Sequence, residues 1–206
     1  MFTAAPAPSL ELFTWTTPNG IKPLILLEEL GEPYQLHWVD IGAGAQHQPS
    51  FLQVNPNAKI PALRDAGLCI FESGALLMHL AEKYGRFLPA AGPQRAQTLS
   101  WLFFQVGGIG PMFGQLGHFM HLERPIPYAI ERYRNEAERL YGVLDQRLGE
   151  SEYLAGEYSI ADIASFGWAA RHAALQVSLT RYPHVQRWLN ALAARPAVVR
   201  ARALRP

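Results

Sequence analysis

Two short stretches hold side chains of the right type and spacing to grip a small, dipolar, charged molecule. The first is Trp15-Thr16-Thr17-Pro18-Asn19-Gly20. Thr17 and Asn19 place a hydroxyl and an amide where an alternating apolar run gives way to a helix-like run, and both groups donate hydrogen bonds. The turn has no cysteine, tyrosine or serine, so it offers donors without a nucleophile. The second stretch is Glu72-Ser73, at the junction of a strand and a helix. A helix N-terminus presents free N–H groups and the positive end of its dipole, which suit a carboxylate. Ser73 adds a hydroxyl, and Glu72 offers a negative charge to an amine. Each stretch also has a plain reading, the first as a Thr-Pro-Asn-Gly turn and the second as an N-cap with an acidic neighbour.

Between them lies Lys59-Ile60-Pro61. A proline at the start of a strand removes one ladder donor, and Lys59 is either a cation facing this loop or a solvated surface lysine. Three other patterns carry less. Cys69, in the apolar run Leu68-Cys69-Ile70-Phe71, reads as a small buried hydrophobe; it is the only cysteine, so no internal disulfide and no CxxC pair exists. His118 and His121 have metal-like spacing, but no cysteine or carboxylate cluster accompanies them and no metal is expected. Gly107-Gly108-Ile109-Gly110 follows a helix and not a strand, which removes it as a dinucleotide fingerprint; glycines there suit a close helix contact or a bend.

The elements that must position these residues follow from periodicity and punctuation. Leu10 to Trp15 and Tyr34 to Ile41 read as strands flanking a helix that ends at Gly31. Pro23 lacks an N–H, so that helix must begin near Asn19 or Gly20. A short crossover between two strands implies a parallel βαβ unit. Residues 42–57 read as irregular. Ile60 to Arg64 and Leu68 to Phe71 form a hairpin around Asp65-Ala66-Gly67, and Ser73 to Tyr84 is helical. Residues 1–9 read as a flexible lead-in, 10–88 as an α/β domain with the element order of a thioredoxin-like fold, 89–93 as a linker and 94–206 as an all-α domain. Within the last, Thr98 to Phe104, Ile126 to Leu148 and Pro183 to Ala194 carry helical spacing, and Ser159-Ile160-Ala161-Asp162 resembles a capping box with Asp in place of Glu.

The 206 residues are 49% apolar and 17% charged, enough for a large core and too little charge for a disordered chain. A formal net charge of +1 gives no electrostatic case for nucleic acid or an acidic membrane. No run of about 18 apolar residues suggests a membrane span. The first residues lack a basic, apolar leader, so no signal peptide is expected. With a single cysteine, these features predict a cytoplasmic protein.

Taken in order, Asn55-Pro56-Asn57-Ala58-Lys59-Ile60-Pro61-Ala62-Leu63, Phe71 to Gly85 and Ser159 to Ala164 resemble the cytosolic glutathione transferases, from Leu10 to about Pro196. Thr17 to Gly20, Trp101 to Gln115 and Ile126 to Tyr133 are similar to the nu class, a bacterial group of glutathione-dependent disulfide oxidoreductases related to a yeast nitrogen-regulatory prion protein. The resemblance implies a homodimer with glutathione as co-substrate, and a small disulfide or electrophile as the second substrate. It implies that Glu72 and Ser73 hold the γ-glutamyl end and that a cis Ile60-Pro61 bond offers Ile60 to the cysteinyl part. It places Lys59, Gln46 and Arg132 among the glutathione ligands. Thr17 and Asn19 then become donors to a thiolate. A model thiol has a pKa of about 8.5, and helix N-termini and donors lower it. The cysteine missing from the turn would arrive with the substrate. Conjugation to electrophiles, or a non-catalytic glutathione-binding role, are the alternative functions.

Overall fold

The computed structural model describes residues 9–206; residues 1–8, most of the expected lead-in, lie outside the described residues. Strand β1 (Leu10–Thr14) alternates strictly, with Leu10, Leu12 and Thr14 buried and Glu11 and Phe13 half-buried. It is one of the two inner strands of the sheet. β2 (Gln35–Trp38) pairs with it in parallel, Leu12 opposite Leu36. β3 (Ala62–Asp65) pairs with its other edge in antiparallel sense. β4 (Leu68–Phe71) completes the order β2-β1-β3-β4. Ala66 and Gly67, at φ 48° and 92°, make the β3–β4 turn, both in the left-handed region that a two-residue hairpin requires.

Helix α1 (Ile21–Leu30) crosses between β1 and β2, with Pro23 in its first turn, where a missing N–H costs no helical bond. β2 is shorter than the predicted 34–41. After Val39 N–H donates to Thr14, Asp40 Oδ1 accepts from Gly42 and Ala43 N–H, and this Asx turn bends the chain out of the sheet. The stretch 42–57 is less irregular than expected: it contains a 3₁₀ turn (Ala45–His47) and the short helix α2 (Pro49–Leu52). Val39, Phe51, Val54 and Ala62 form a small separate core beneath it. β3 starts two residues later than expected, beyond Pro61, and the Ile60-Pro61 bond is cis. α3 (Ser73–Tyr84) follows β4 and ends at Gly85.

The helical part begins with α4 (Gly92–Phe104), which starts inside the predicted linker because Pro93 suits a first helical turn. A π turn (Gln105–Ile109) joins α4 to α5 (Gly110–Met120) without a break. α6 (Pro127–Glu150), α7 (Ile160–Ala169), α8 (Pro183–Ala193) and α9 (Pro196–Ala203) complete it. α7 is the hub, packed on α1 and α3 of the sheet domain and on α4, α5 and α8 of its own. One continuous core, from Leu10 and Leu26 through Leu76 to Phe113, Tyr141 and Trp188, runs through both halves. No helix among the described residues is long and apolar enough to cross a membrane.

Cys69 corrects an expectation. It is exposed. β4 is an outer strand of the sheet, and Leu68, Cys69 and Phe71 are exposed with only Ile70 half-covered, instead of sinking into the core.

Candidate active site

A cavity of about 290 Å³ opens where the heads of α1 and α3 face the π turn. The sheet domain contributes Asn19 and Lys22 from the α1 end, the loop from Asn55 to Pro61, and Glu72 and Ser73; the helical domain contributes Gln105, Val106, Gly110 and Pro111. Asn19, Lys59, Ile60, Glu72 and Ser73 are thus brought together from three separate stretches.

Ser73 is buried and is the first residue of α3. The preceding Glu72 makes no side-chain cap bond, so the helix start is left open toward the cavity. Glu72 adopts φ 71° and ψ 117°. A non-glycine residue holds such a conformation only where its surroundings enforce it, at a cost of about 1–3 kcal/mol, and such residues cluster at ligand sites. Asn55, buried beside the cavity, braces the opposite wall. Its Nδ2 donates to Lys59 C=O at 2.6 Å, and its Oδ1 accepts from Asn57 N–H at 2.9 Å. That pins the loop that carries Lys59 and Ile60.

Lys22, which no motif in the sequence marks, is the strongest electrostatic feature of the site. It is 2% exposed. Its Nζ donates to Gln105 Oε1 at 2.7 Å and to Ser73 Oγ at 3.2 Å. Burial lowers its pKa to about 7, and the negative charge of Glu72 opposes that fall. The available signal was a lone cation in the apolar run Ile21-Lys22-Pro23-Leu24-Ile25-Leu26-Leu27. Gln105 was equally inconspicuous, a polar residue between Phe104 and Val106. Gly110 allows it room: a Cβ there would sit 2.9 Å from Gln105 Nε2. That contact gives one glycine of the Gly107–Gly110 run the close-approach role expected for it.

Asn19 is oriented by the helical domain. Trp168 Nε1 donates to its Oδ1 at 2.9 Å, which leaves the amide N–H groups free for the cavity. The turn is seated against α7 at Gly167, where a Cβ would lie 2.5 Å from Pro18 O. Thr17 faces elsewhere. Its Oγ1 accepts from Gly20 N–H at 2.9 Å, and it lines a different groove, with Trp15, Trp38 and Phe166. Gln46 lies off the cavity; its Nε2 is 3.3 Å from His47 Nε2, and its buried Oε1 has no partner. Arg132 lies on α6 in a separate cleft with Tyr128 and Glu136. His121 Nδ1 bonds to Gly117 O at 2.7 Å, and among the described residues no group of three His, Cys, Asp or Glu is placed to hold a metal.

The arrangement accepts an elongated molecule with anionic and cationic groups. An open helix start with a hydroxyl can take a carboxylate, an exposed carboxylate can take an amine, a loop backbone can take an extended peptide, and an oriented amide can donate to a developing anion.

Both halves of the chain match glutathione S-transferase models, the N-terminal domain over residues 8–82 and the C-terminal domain over residues 116–196. The protein belongs to the glutathione S-transferase family. It is 48% identical to disulfide-bond oxidoreductase YfcG of Escherichia coli K12 over 201 residues, 93% of this chain and 94% of that one. It superposes with a TM-score of 0.91 on a family member from Pseudomonas fluorescens solved with two glutathione bound, at 44% identity, covering 97% of this chain and 95% of that one. A glutathione transferase from Pseudomonas putida, solved with one glutathione disulfide per subunit, gives the same TM-score at 42% identity, covering 98% and 94%.

Proposed function

We propose that the protein is a glutathione-dependent disulfide oxidoreductase in which the reactive sulfur belongs to bound glutathione. One observation carries this reading. Asn19 turns its free amide toward the cavity, whereas the only cysteine stands exposed on β4 and does not line it. The turn therefore activates a thiol it does not own. The glutathione thiolate attacks one sulfur of the substrate disulfide, the other sulfur leaves as a thiolate and takes up a proton, and a second glutathione resolves the mixed disulfide. The products are glutathione disulfide and two thiols, which balances the two electrons transferred.

In this assignment the γ-glutamyl end lies at Glu72 and Ser73, the cysteinyl backbone at Ile60, and the glycine carboxylate toward Lys59. Thr17 supports the turn through Gly20 and reaches the thiol only if it rotates from its present contact. Gln46 and Arg132 stand off the cavity, so their contact with glutathione requires a second copy of the chain or a ligand longer than the cavity. A nu-class homodimer supplies the second copy, and Leu68 and Phe71 on β4 and Phe103 on α4 are large apolar side chains left exposed for such a contact. A glutathione-dependent reductase with one unpaired cysteine fits the cytoplasm. The test compares turnover of a small disulfide with conjugation of a chlorinated aromatic electrophile, both with glutathione. The expected result is turnover of the disulfide with little conjugation; the reverse order would overturn the proposal.

A further inference from the structure

Lys22 has no part in the exchange proposed for the site, although a buried lysine needs a reason. Taking a lone ammonium out of water costs several kcal/mol, so stability alone does not account for it. Its surroundings point at a ligand. Two of its three N–H groups are used, one by Ser73 and one by Gln105, and the residue itself lines the cavity. Those two partners come from different domains, and neither carries a charge. The only acid that acts on it is Glu72, whose own carboxylate is exposed at the rim.

The elements packed around Lys22 offer no other counter-charge. On α3, His79 and Lys83 pair with Asp65, and Glu82 pairs with Arg95. On α1 itself, Glu28 and Glu29 pair with Arg200 of α9 and with Arg195. On α7, Asp162 is enclosed by Ser159, Leu154 and Trp188. Lys59 adds a second cation to the same cavity. Among the described residues, the cavity sets two cations, Lys22 and Lys59, against a single carboxylate, that of Glu72 at the rim.

We propose that Lys22 is a further substrate-positioning residue: its ammonium is the buried counter-charge for the γ-glutamyl carboxylate at Ser73, and glutathione binding loads it with a proton. This rests on the assignment of the cavity to glutathione. In the free protein burial holds the Lys22 pKa near 7, so above neutrality much of it is the neutral amine. A carboxylate arriving beside Ser73 favours the ammonium. The amine then takes one proton from solvent, and the bound state is the ion pair. Gln105, bonded to the same Nζ, ties the π turn of the helical domain to the site.

The probe is S-methylglutathione, which keeps the carboxylates and the amine and removes the titrating thiol. Calorimetry in buffers of different ionisation enthalpy reads protons taken up on binding. The wild type is expected to take up a fraction of a proton per site between pH 7 and 8, and to lose affinity over that interval by up to about tenfold per pH unit. Lys22→Met is expected to bind about tenfold to a hundredfold more weakly at pH 7, with no proton uptake and a flat profile. If the wild type binds without proton uptake, or Lys22→Met takes up the same fraction, the assignment of Lys22 is wrong and the cavity assignment stands. If the wild type does not bind the probe at all, the cavity assignment itself is wrong. The wild-type measurement decides the point even if the variant does not fold.

Discussion

Two helix starts in this molecule contain a serine and an acid, and they use them in opposite ways. At α7, Ser159 and Asp162 close on each other. Ser159 Oγ accepts from Ala161 N–H, and the buried Asp162 carboxylate accepts from Ser159 N–H at 3.1 Å, Leu154 N–H at 3.0 Å and Trp188 Nε1 at 2.9 Å. Every donor there has a partner, and the helix is fixed in the centre of the fold. At α3, Glu72 and Ser73 make no cap bond. The backbone of Glu72 is held in an unfavourable region, its carboxylate stays exposed, and Ser73 is approached from below by a buried cation. A helix N-terminus whose cap is withheld keeps its N–H groups open to a ligand, and the well-capped helix at the hub packs against the open one.

Removing the acid from each start separates the two roles. Asp162→Ala should be the most damaging change in the chain. It leaves the N–H groups of Leu154, Ser159 and Trp188 buried without an acceptor, and each such loss costs about 1–3 kcal/mol. We expect a destabilisation of about 3 kcal/mol or more, read as a lower midpoint in urea. A midpoint within error of the wild type would mean that α7 does not depend on its cap. Glu72→Ala should leave that midpoint nearly unchanged, because the exposed carboxylate holds nothing in the free protein.

The next largest effect belongs to Ser73→Ala. A hydrogen bond to a charged group contributes about 1.5–3 kcal/mol, so glutathione affinity should fall about tenfold to a hundredfold in titration calorimetry, while the urea midpoint falls less than in Asp162→Ala, since only one Lys22 N–H loses its acceptor. Unchanged affinity would take Ser73 out of the site and remove the contrast with Ser159.

The open start also has a cost that pH exposes. Lys22 holds its proton to about 10.5 when unfolded and to about 7 when folded. Between those values the unfolded chain binds more protons than the native one, so stability rises with pH across that window. That gain should be absent in Lys22→Met. Equal slopes from pH 7 to 10 in both proteins would contradict a desolvated lysine.

Asn19 and Thr17 sharpen the same comparison on a smaller scale. Asn19→Ala removes a donor to the bound thiol, so the thiolate absorbance of bound glutathione should titrate at higher pH and disulfide exchange should slow near neutrality. The helix dipole remains, so activity falls without vanishing. Thr17→Val should move that titration less, since Thr17 now serves Gly20. Equal shifts would mean that Thr17 turns its hydroxyl to the thiol when glutathione binds.

How far these features were legible in the sequence depends on how local their causes are. The β3–β4 hairpin follows from Asp65-Ala66-Gly67 and the α7 cap from Ser159 and Asp162, because each is complete within a few residues. The stops at Gly31 and Gly85 are local in the same sense. Lys22 and Gln105 were not legible. They stand 83 positions apart and meet only through the packing of two domains, and a lysine on a helix ordinarily faces solvent. The splitting of Thr17 from Asn19 was hidden too, since Trp168 is 149 positions from the amide it orients.

Cys69 illustrates the same limit and supplies the smallest expected effect. Its local run is apolar, and local pattern alone places it inside. Sheet order decides otherwise, because β4 pairs only with β3 and its outer edge is uncovered. An exposed thiol away from the cavity has no part in the proposed exchange, and an exposed side chain leaves no cavity when it is shortened. Cys69→Ala should therefore keep disulfide reductase activity within about twofold of the wild type, with stability changed by no more than about 0.5 kcal/mol. Activity should also survive prior alkylation of the wild type with a small thiol reagent, which labels the one cysteine without changing the sequence. Loss of turnover in both, with circular dichroism unchanged, would give the protein its own redox thiol and would end the argument that the sulfur comes only with glutathione.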